Sequence, residues 1–222
     1  MNALPEWVAS AEHTAHAYDL IADRYADVWF TNPDSDLADA FLAHLPERSR
    51  LLDVGCGPGQ YTRHFWSRGH TAVGIDISQR TAAGARARCG RSMFARMTMM
   101  ALGFPDAAFD GVWACASVPH IPSGSVGSAL AELHRVLAPG GTLFVNVPLG
   151  LGARVETPAD FAQEGTYGRF FQRYSDAEDF LAVLRSTGFD VVDSGENVVR
   201  SDVLAHRGTI SAKWFNVTAV KS

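Results

Sequence analysis

Lysine is almost absent from this 222-residue chain. Lys213 and Lys221 are the only two, and the rest of its 19 basic residues are arginines. Positive charge is also outweighed, with 24 acidic residues leaving a formal net charge of −5. Nucleic acid is therefore a poor candidate for the main partner, because binding a phosphate backbone calls for a basic surface. Cysteine is scarce and odd in number, at Cys56, Cys89 and Cys115. Three scattered thiols make no disulfide framework and have no metal-ligand spacing, so no metal is expected and a reducing compartment is. Long apolar runs are missing too. None approaches the roughly 20 residues that span a bilayer, and the opening MNALPEWVASAEH lacks the basic-then-apolar pattern of a secretory signal. No repeat or low-complexity tract interrupts the chain. These absences predict a cytoplasmic, single-domain protein, its 47% apolar residues enough to bury a core. Composition carries no sign of its oligomeric state.

Periodicity divides the chain. Tyr18, Ile21, Ala22, Tyr25, Val28 and Trp29 recur at helical spacing, and Asn32-Pro33 ends that helix. Asp34 or Ser35 caps a second helix carrying Leu37, Phe41 and Leu45, closed by Pro46. From residue 50 short apolar runs alternate with helical stretches. Strands are predicted at 50–54, 71–75, 92–95, 109–114 and 141–147, and helices at 59–68, 79–88 and 125–137. Such alternation predicts an α/β fold, a parallel sheet with helices on both faces. Ser78 caps the second of these helices, and Pro139-Gly140-Gly141 predicts a turn before the strand at 141–147. Residues 149–174 lack clear periodicity. Ser175 and Glu178 read as a capping box for a further helix, with Gly188 as its C′ residue. Strands near 189–199 and 214–220, with no helix between them, read as an antiparallel pair.

The chemistry concentrates where the first strand stops. Residues 51–65 read LLDVGCGPGQYTRHF, a strand running into Asp53, then Gly55, Cys56, Gly57 and Gly59, then a helix. The glycines permit a tight turn and close approach of a ligand, and the helix start offers unpaired N–H groups and partial positive charge. A tight turn with no ligand is the bland alternative. A dinucleotide site usually has Gly-x-Gly-x-x-Gly, but here the sixth position is Gln60. Asp53 would repel a pyrophosphate and suits a ligand carrying an ammonium group. Asp76, followed by Ile77 and Ser78, ends the second strand 23 positions after Asp53. A carboxylate there accepts from both hydroxyls of a ribose, the alternative being a helix-capping or surface aspartate. S-adenosylmethionine has the ribose and the amino acid end, and no pyrophosphate.

With two further segments, these motifs resemble those of the class I S-adenosylmethionine-dependent methyltransferases, in particular the small bacterial ubiquinone/menaquinone-methyltransferase-like group. Residues 51–60 resemble the family's first motif and residues 74–78 its second. Phe104-Pro105-Asp106-Ala107-Ala108-Phe109-Asp110 is similar to its FPD-x-x-FD segment, and residues 132–141 are similar to its E-x-x-RVL-x-PGG segment. The likeness covers roughly residues 15–148. It implies a Rossmann-like doubly wound sheet of seven strands with the last antiparallel, and a cofactor-binding core at 50–148. S-adenosylmethionine would be held by Asp53, Gly55, Cys56, Gly57, Gly59, Asp76 and Ile77, with Ala114 and Cys115 bordering its methionine part. Family members often place an acidic residue and then an apolar one against the adenine. Thr98 and Met99 stand there instead, so an uncharged hydrogen bond and thioether packing would replace them. Met97, Met99 and Met100 read equally as core filling. Residues 18–25 are similar to a Y-D-x-x-A-x-x-Y stretch, which implies an N-terminal helical lid at 1–46 and sets Tyr18 or Tyr25 against cofactor or acceptor. Both are alternatively core aromatics.

His120 matches a histidine common in related sequences and is a candidate general base, or else a packing histidine at a loop start. Tyr167, Phe171 and Arg173 lie in the 149–174 stretch, near the carboxyl edge of the sheet where ligands bind in such folds. The aromatics would wall an acceptor pocket and the arginine pair with an acidic group on the acceptor, or all three simply anchor the segment. Residues 175–222 would add a helix and the antiparallel pair. The expected activity is direct in-line transfer of a methyl group to a small molecule, at an oxygen, nitrogen, carbon or sulfur atom. The alternatives are a protein that binds the cofactor without transferring methyl, an NAD-dependent oxidoreductase and an RNA methyltransferase.

Overall fold

The β-branched and aromatic runs of the chain form a seven-stranded sheet. A computed structural model describes residues 6–91, 93–150, 153–156, 169–200 and 211–222. β1 (Arg50–Val54), β2 (Thr71–Asp76), β3 (Phe94–Arg96), β4 (Phe109–Ala114) and β5 (Leu137–Pro148) are the parallel strands. β6 (Ala153–Glu156) and β7 (Arg169–Gln172) pair antiparallel in a sheet of their own, and β8 (Phe189–Arg200) and β9 (Ser211–Lys221) extend the main one. The order across the main sheet is β3-β2-β1-β4-β5-β9-β8, with β9 antiparallel to both neighbours. From β1 the chain winds to one side through β2 and β3, then returns to the other side through β4. The carboxyl ends of β1 and β4 therefore flank a switch point, where such sheets open a crevice.

Alternation along each strand feeds two layers of core. Leu52, Val112, Leu143 and Val145 face α5 (Ser123–Val136) and α6 (Ala177–Ser186) in one cluster. Their neighbours Leu51, Trp113 and Phe144 face α2 (Ser35–Leu42) and α3 (Gln60–Ser67) in the other. Trp113 stacks on Phe144 with ring centroids 4.1 Å apart, Phe65 packs edgewise on Trp113, and Phe41 packs edgewise on Phe144. α4 (Gln79–Cys89) covers β2 and β3, and α1 (Glu6–Trp29) lies against α4 and β7.

The capping arguments hold at Asp34 and Ser78, whose side chains accept from the N–H groups of Leu37 and Thr81. They fail at Ser175. The N-cap of α6 is Asp176, which accepts from Glu178 N–H, while the Ser175 hydroxyl donates to Asp179. The helix therefore opens one residue later than a Ser175 cap requires. The Pro139-Gly140-Gly141 turn is absorbed into β5 as a bulge: Leu137 pairs with Phe109, yet Thr142 pairs with Gly111. The 149–174 stretch is not without regular structure, since β6 and β7 occupy part of it.

The E-x-x-R segment has a structural role. The Arg135 guanidinium donates to both Glu132 oxygens, to Asp106 and to the carbonyls of Leu102 and Phe104, while Glu132 also accepts from Leu102 N–H. A planar five-donor group is suited to that fan, and it fixes the segment leading into β4. Lys221 donates to the His134 and Leu137 carbonyls at 2.7 and 2.8 Å, closing the carboxyl end of α5. Among the described residues no helix is long and apolar enough to cross a membrane, and no His, Cys, Asp and Glu group is arranged to hold a metal ion.

Candidate active site

The glycine loop sits at the switch point. Gly55 and Cys56 donate their N–H groups to the Ile75 carbonyl, tying the loop to the end of β2. Gly55 has φ +70°, and a Cβ there would come 2.6 Å from the Ser117 Cβ. The bare backbone is therefore demanded twice, by torsion and by close approach. A Cβ on Gly57 would touch the Tyr25 ring at 3.3 Å, so α1 overhangs the loop. α3 starts at Gly59 with no side chain accepting from its first N–H groups, unlike α2, α4 and α6. Beside it, the buried Gln60 Oε1 and Ser117 Oγ have no hydrogen-bond partner among the described residues.

Two carboxylates lie beneath the cradle. Asp76 Oδ2 accepts from Gly57 N–H at 3.1 Å and Oδ1 from Ser78 N–H at 2.8 Å. Each oxygen keeps a lone pair for a further donor. Asp53 accepts from the Thr62 hydroxyl at 2.6 Å and is fully buried. Burial pushes Asp53 up to about 7, against the pull of Thr62, with repulsion from Asp76 adding to the rise. Burial pushes Asp76 up to about 6, against the Ser78 and Gly57 N–H groups.

These two raised carboxyl groups set the sign of the pH dependence. Between the unfolded value near 4 and the raised values, the folded protein holds protons that the unfolded chain releases. Stability of the ligand-free protein thus falls as pH rises through this window. A ligand that donates hydrogen bonds or positive charge to the carboxylates expels those protons. Affinity for S-adenosylhomocysteine is expected to rise between about pH 5 and about pH 8, by up to roughly tenfold per pH unit. Calorimetry in buffers of different ionisation enthalpy should record proton release, smaller in Asp76→Asn. Proton uptake, or a flat profile, would contradict the placement.

The residues expected to face an acceptor come together from distant parts of the chain. His120 Nδ1 lies 2.8 Å from the Phe170 carbonyl, which only accepts, so Nδ1 carries the proton. Nε2 is then left to accept from the Tyr18 hydroxyl at 3.2 Å. Tyr25, Tyr18, His120, Phe171 and Trp214 form a row of rings, each 5.3–6.2 Å from the next. Arg173 reaches over Phe171 at 5.9 Å and lies against Gly150. α1 is fastened across this edge by Asp19, which accepts from the Ser78 hydroxyl and from Arg80 N–H, and by Asp23, paired with Arg80 and Arg88.

Not every expected residue reaches the rim. Ala114 is wholly buried in the larger core cluster. Cys56 is also buried, and burial holds its thiol well above the ordinary range. Cys115 is driven up to about 12 by desolvation, so it stays a thiol, a poor nucleophile. Ile77 is half-exposed, its carbonyl taken by Arg96. Thr98 and Met99 are half-buried: the Thr98 hydroxyl accepts from Met100 N–H, and Met97, Met99 and Met100 pack on the core. Tyr167 lies outside the described residues. Sequence reasoning missed Thr62, Asn146 and the role of the Phe170 carbonyl. The available signal was Asn146, an amide inside the apolar run LFVNVP.

Comparison with known proteins bears on the family. A family described as a methyltransferase domain matches residues 52–145. The chain is 30% identical over 209 residues to 27-O-demethylrifamycin SV methyltransferase of Amycolatopsis mediterranei, covering 82% of this chain and 74% of that protein. It is 36% identical over 108 residues to the malonyl-acyl-carrier-protein O-methyltransferase of Enterobacter lignolyticus, covering 48% of this chain and 42% of that one. The chain thus spans less than half the length of that second relative. Among solved structures, the 1,6-didemethyltoxoflavin-N1-methyltransferase of Burkholderia thailandensis superposes with a TM-score of 0.72 at 23% identity, over 100% of this chain and 92% of that one. At that identity the likeness speaks for the fold alone. Together with the glycine cradle, the rifamycin relative decides the family: the chain belongs to the S-adenosylmethionine-dependent methyltransferases.

Proposed function

We propose that the protein transfers a methyl group to a hydroxyl of a small-molecule acceptor in the cytoplasm. The observation that carries this reading is His120, whose basic Nε2 faces Tyr18 while Phe170 fixes the tautomer. A hydroxyl must lose its proton as it is methylated, and a neutral imidazole is suited to take it. The relatives named as O-methyltransferases support the choice of oxygen. The three thiols are free, which suits a reducing compartment, and the net charge of −5 argues against RNA as acceptor.

When bound, S-adenosylmethionine supplies a methyl group already made electrophilic by its sulfonium. Asp76 would accept from the ribose hydroxyls, the uncapped start of α3 would favour the carboxylate end, and the field of Asp53 would favour the ammonium. The Thr98 hydroxyl, which accepts from Met100 N–H, keeps its own proton to donate, and Thr98 with the exposed part of half-buried Met99 would meet the adenine. Tyr18, Phe171 and Arg173 wall the acceptor, whose hydroxyl displaces that of Tyr18 on His120 Nε2. α1 and the aromatic row exclude water, and holding the two reactants in line is worth roughly 7–11 kcal/mol in favourable cases.

Incubation with methyl-labelled S-adenosylmethionine and fractionated metabolite extract tests this. Label is expected in a small, acid-stable product, with unlabelled S-adenosylhomocysteine formed in equal amount. Retention of all label on the cofactor across fractions that the protein binds would instead support cofactor binding without transfer.

A further inference from the structure

The turn that leaves β4 needs an external hold. Ala116 has φ +54°, a left-handed conformation that crowds the Cβ of an L-residue. Its N–H donates to Asn146 Oδ1 at 2.6 Å. Asn146 is buried in β5, 6% exposed, among apolar neighbours. Its amide is itself oriented: Nδ2 donates to Asn216 Oδ1 at 3.2 Å and lies 3.6 Å from Cys115 Sγ. Asn216 is its register partner across the β5–β9 ladder. The Ala116 donor requires oxygen on that side of the amide, so the arrangement has one sense. An amide buried in a sheet is costly unless bonded, and here the bonds of Asn146 and of its half-buried partner Asn216 converge on a single strained residue.

Immediately after Ala116 the chain enters the site. Ser117 packs on Gly55, and its carbonyl accepts from His120 N–H at 3.1 Å. We propose that Asn146 is a positioning residue: by holding Ala116 left-handed, with Asn216 orienting the amide, it sets Ser117 against the glycine cradle and His120 against Tyr18. The inference rests on the cofactor site described above, not on His120 acting as a base.

The test compares wild type, Asn146→Leu, Ala116→Gly and their combination by calorimetric titration with S-adenosylhomocysteine. Long-range proton–nitrogen spectra of His120 are recorded alongside. Asn146→Leu is expected to weaken binding about tenfold and to replace the Nδ1-protonated signature by an average of both tautomers. Glycine adopts the left-handed turn without help, so adding Ala116→Gly should return affinity to within about threefold of wild type and restore the signature. A merely structural asparagine would not be rescued at a different residue. Should Asn146→Leu fail to fold, Asn216→Ala decides by the same logic, with about threefold loss recovered by Ala116→Gly. Unchanged binding and signature in a folded Asn146→Leu, or a loss that glycine does not recover, would overturn the proposal. Wild type failing to bind S-adenosylhomocysteine would sink the cofactor site instead.

Discussion

Replacing His120 by glutamine is expected to lower kcat for methyl transfer by about 10²–10⁴-fold. Affinity for S-adenosylhomocysteine should stay within about threefold of wild type. Glutamine keeps the shape of the contact. Its amide nitrogen still donates to the Phe170 carbonyl and its oxygen still accepts from Tyr18, the two partners that hold the imidazole at 2.8 and 3.2 Å. What it lacks is a basic nitrogen. The measurement is single-turnover methyl transfer to the acceptor recovered by labelling, with calorimetry on the same preparation. A kcat within about fivefold of wild type would show that His120 does not take the proton, and a joint collapse of binding and rate would make it a packing residue.

Gly55→Ala is expected to weaken S-adenosylhomocysteine about 100-fold or more, near 2.7 kcal/mol, and to lower the melting temperature. Two penalties act together. The φ of +70° is unfavourable for any L-residue, by about 1–2 kcal/mol. The new methyl would also stand 2.6 Å from the Ser117 Cβ, well inside the roughly 3.5–4.0 Å of ordinary carbon contact. Ser117 has little room to retreat, because the turn behind it is tied through Ala116 to Asn146. Gly69→Ala is the control. Gly69 has φ +90° with open space where its Cβ would stand, so it carries the torsional penalty without the clash. It should cost stability and leave cofactor affinity unchanged. Equal losses of affinity in the two variants would remove Gly55 from the cradle.

Much of this is legible in the residues alone. Strands β1 and β4 fall where the apolar runs predict, because buried parallel strands are near-continuous apolar segments bounded by turn residues. Asp34 and Ser78 cap their helices because capping is decided within one turn of chain. The same locality explains the failure at Ser175. Asp176 was equally able to cap, and the path of the chain after β7, not the four-residue pattern, chose between them. The pairing of β6 with β7 escaped notice because each is four residues long and they find each other across twelve intervening positions. Ala114 shows the limit from the other side. A small residue at the end of a strand leaves room for a ligand, but the direction of its side chain is set by strand parity, and here that points into the core.

The order of glycines, the placement of Asp53 and Asp76 at strand ends, and the alternation of strand and helix are properties of short stretches. The amino-acid sequence therefore settled the fold class by itself, and it put the glycine loop at the end of β1. The surroundings of His120 were decided only in three dimensions. His120 acquires a defined tautomer from a carbonyl 50 positions away and a partner hydroxyl 102 positions away. The turn that carries it is held by an amide from another strand. Hydrogen bonds between residues so far apart depend on the register and path of whole elements, and no local pattern encodes those.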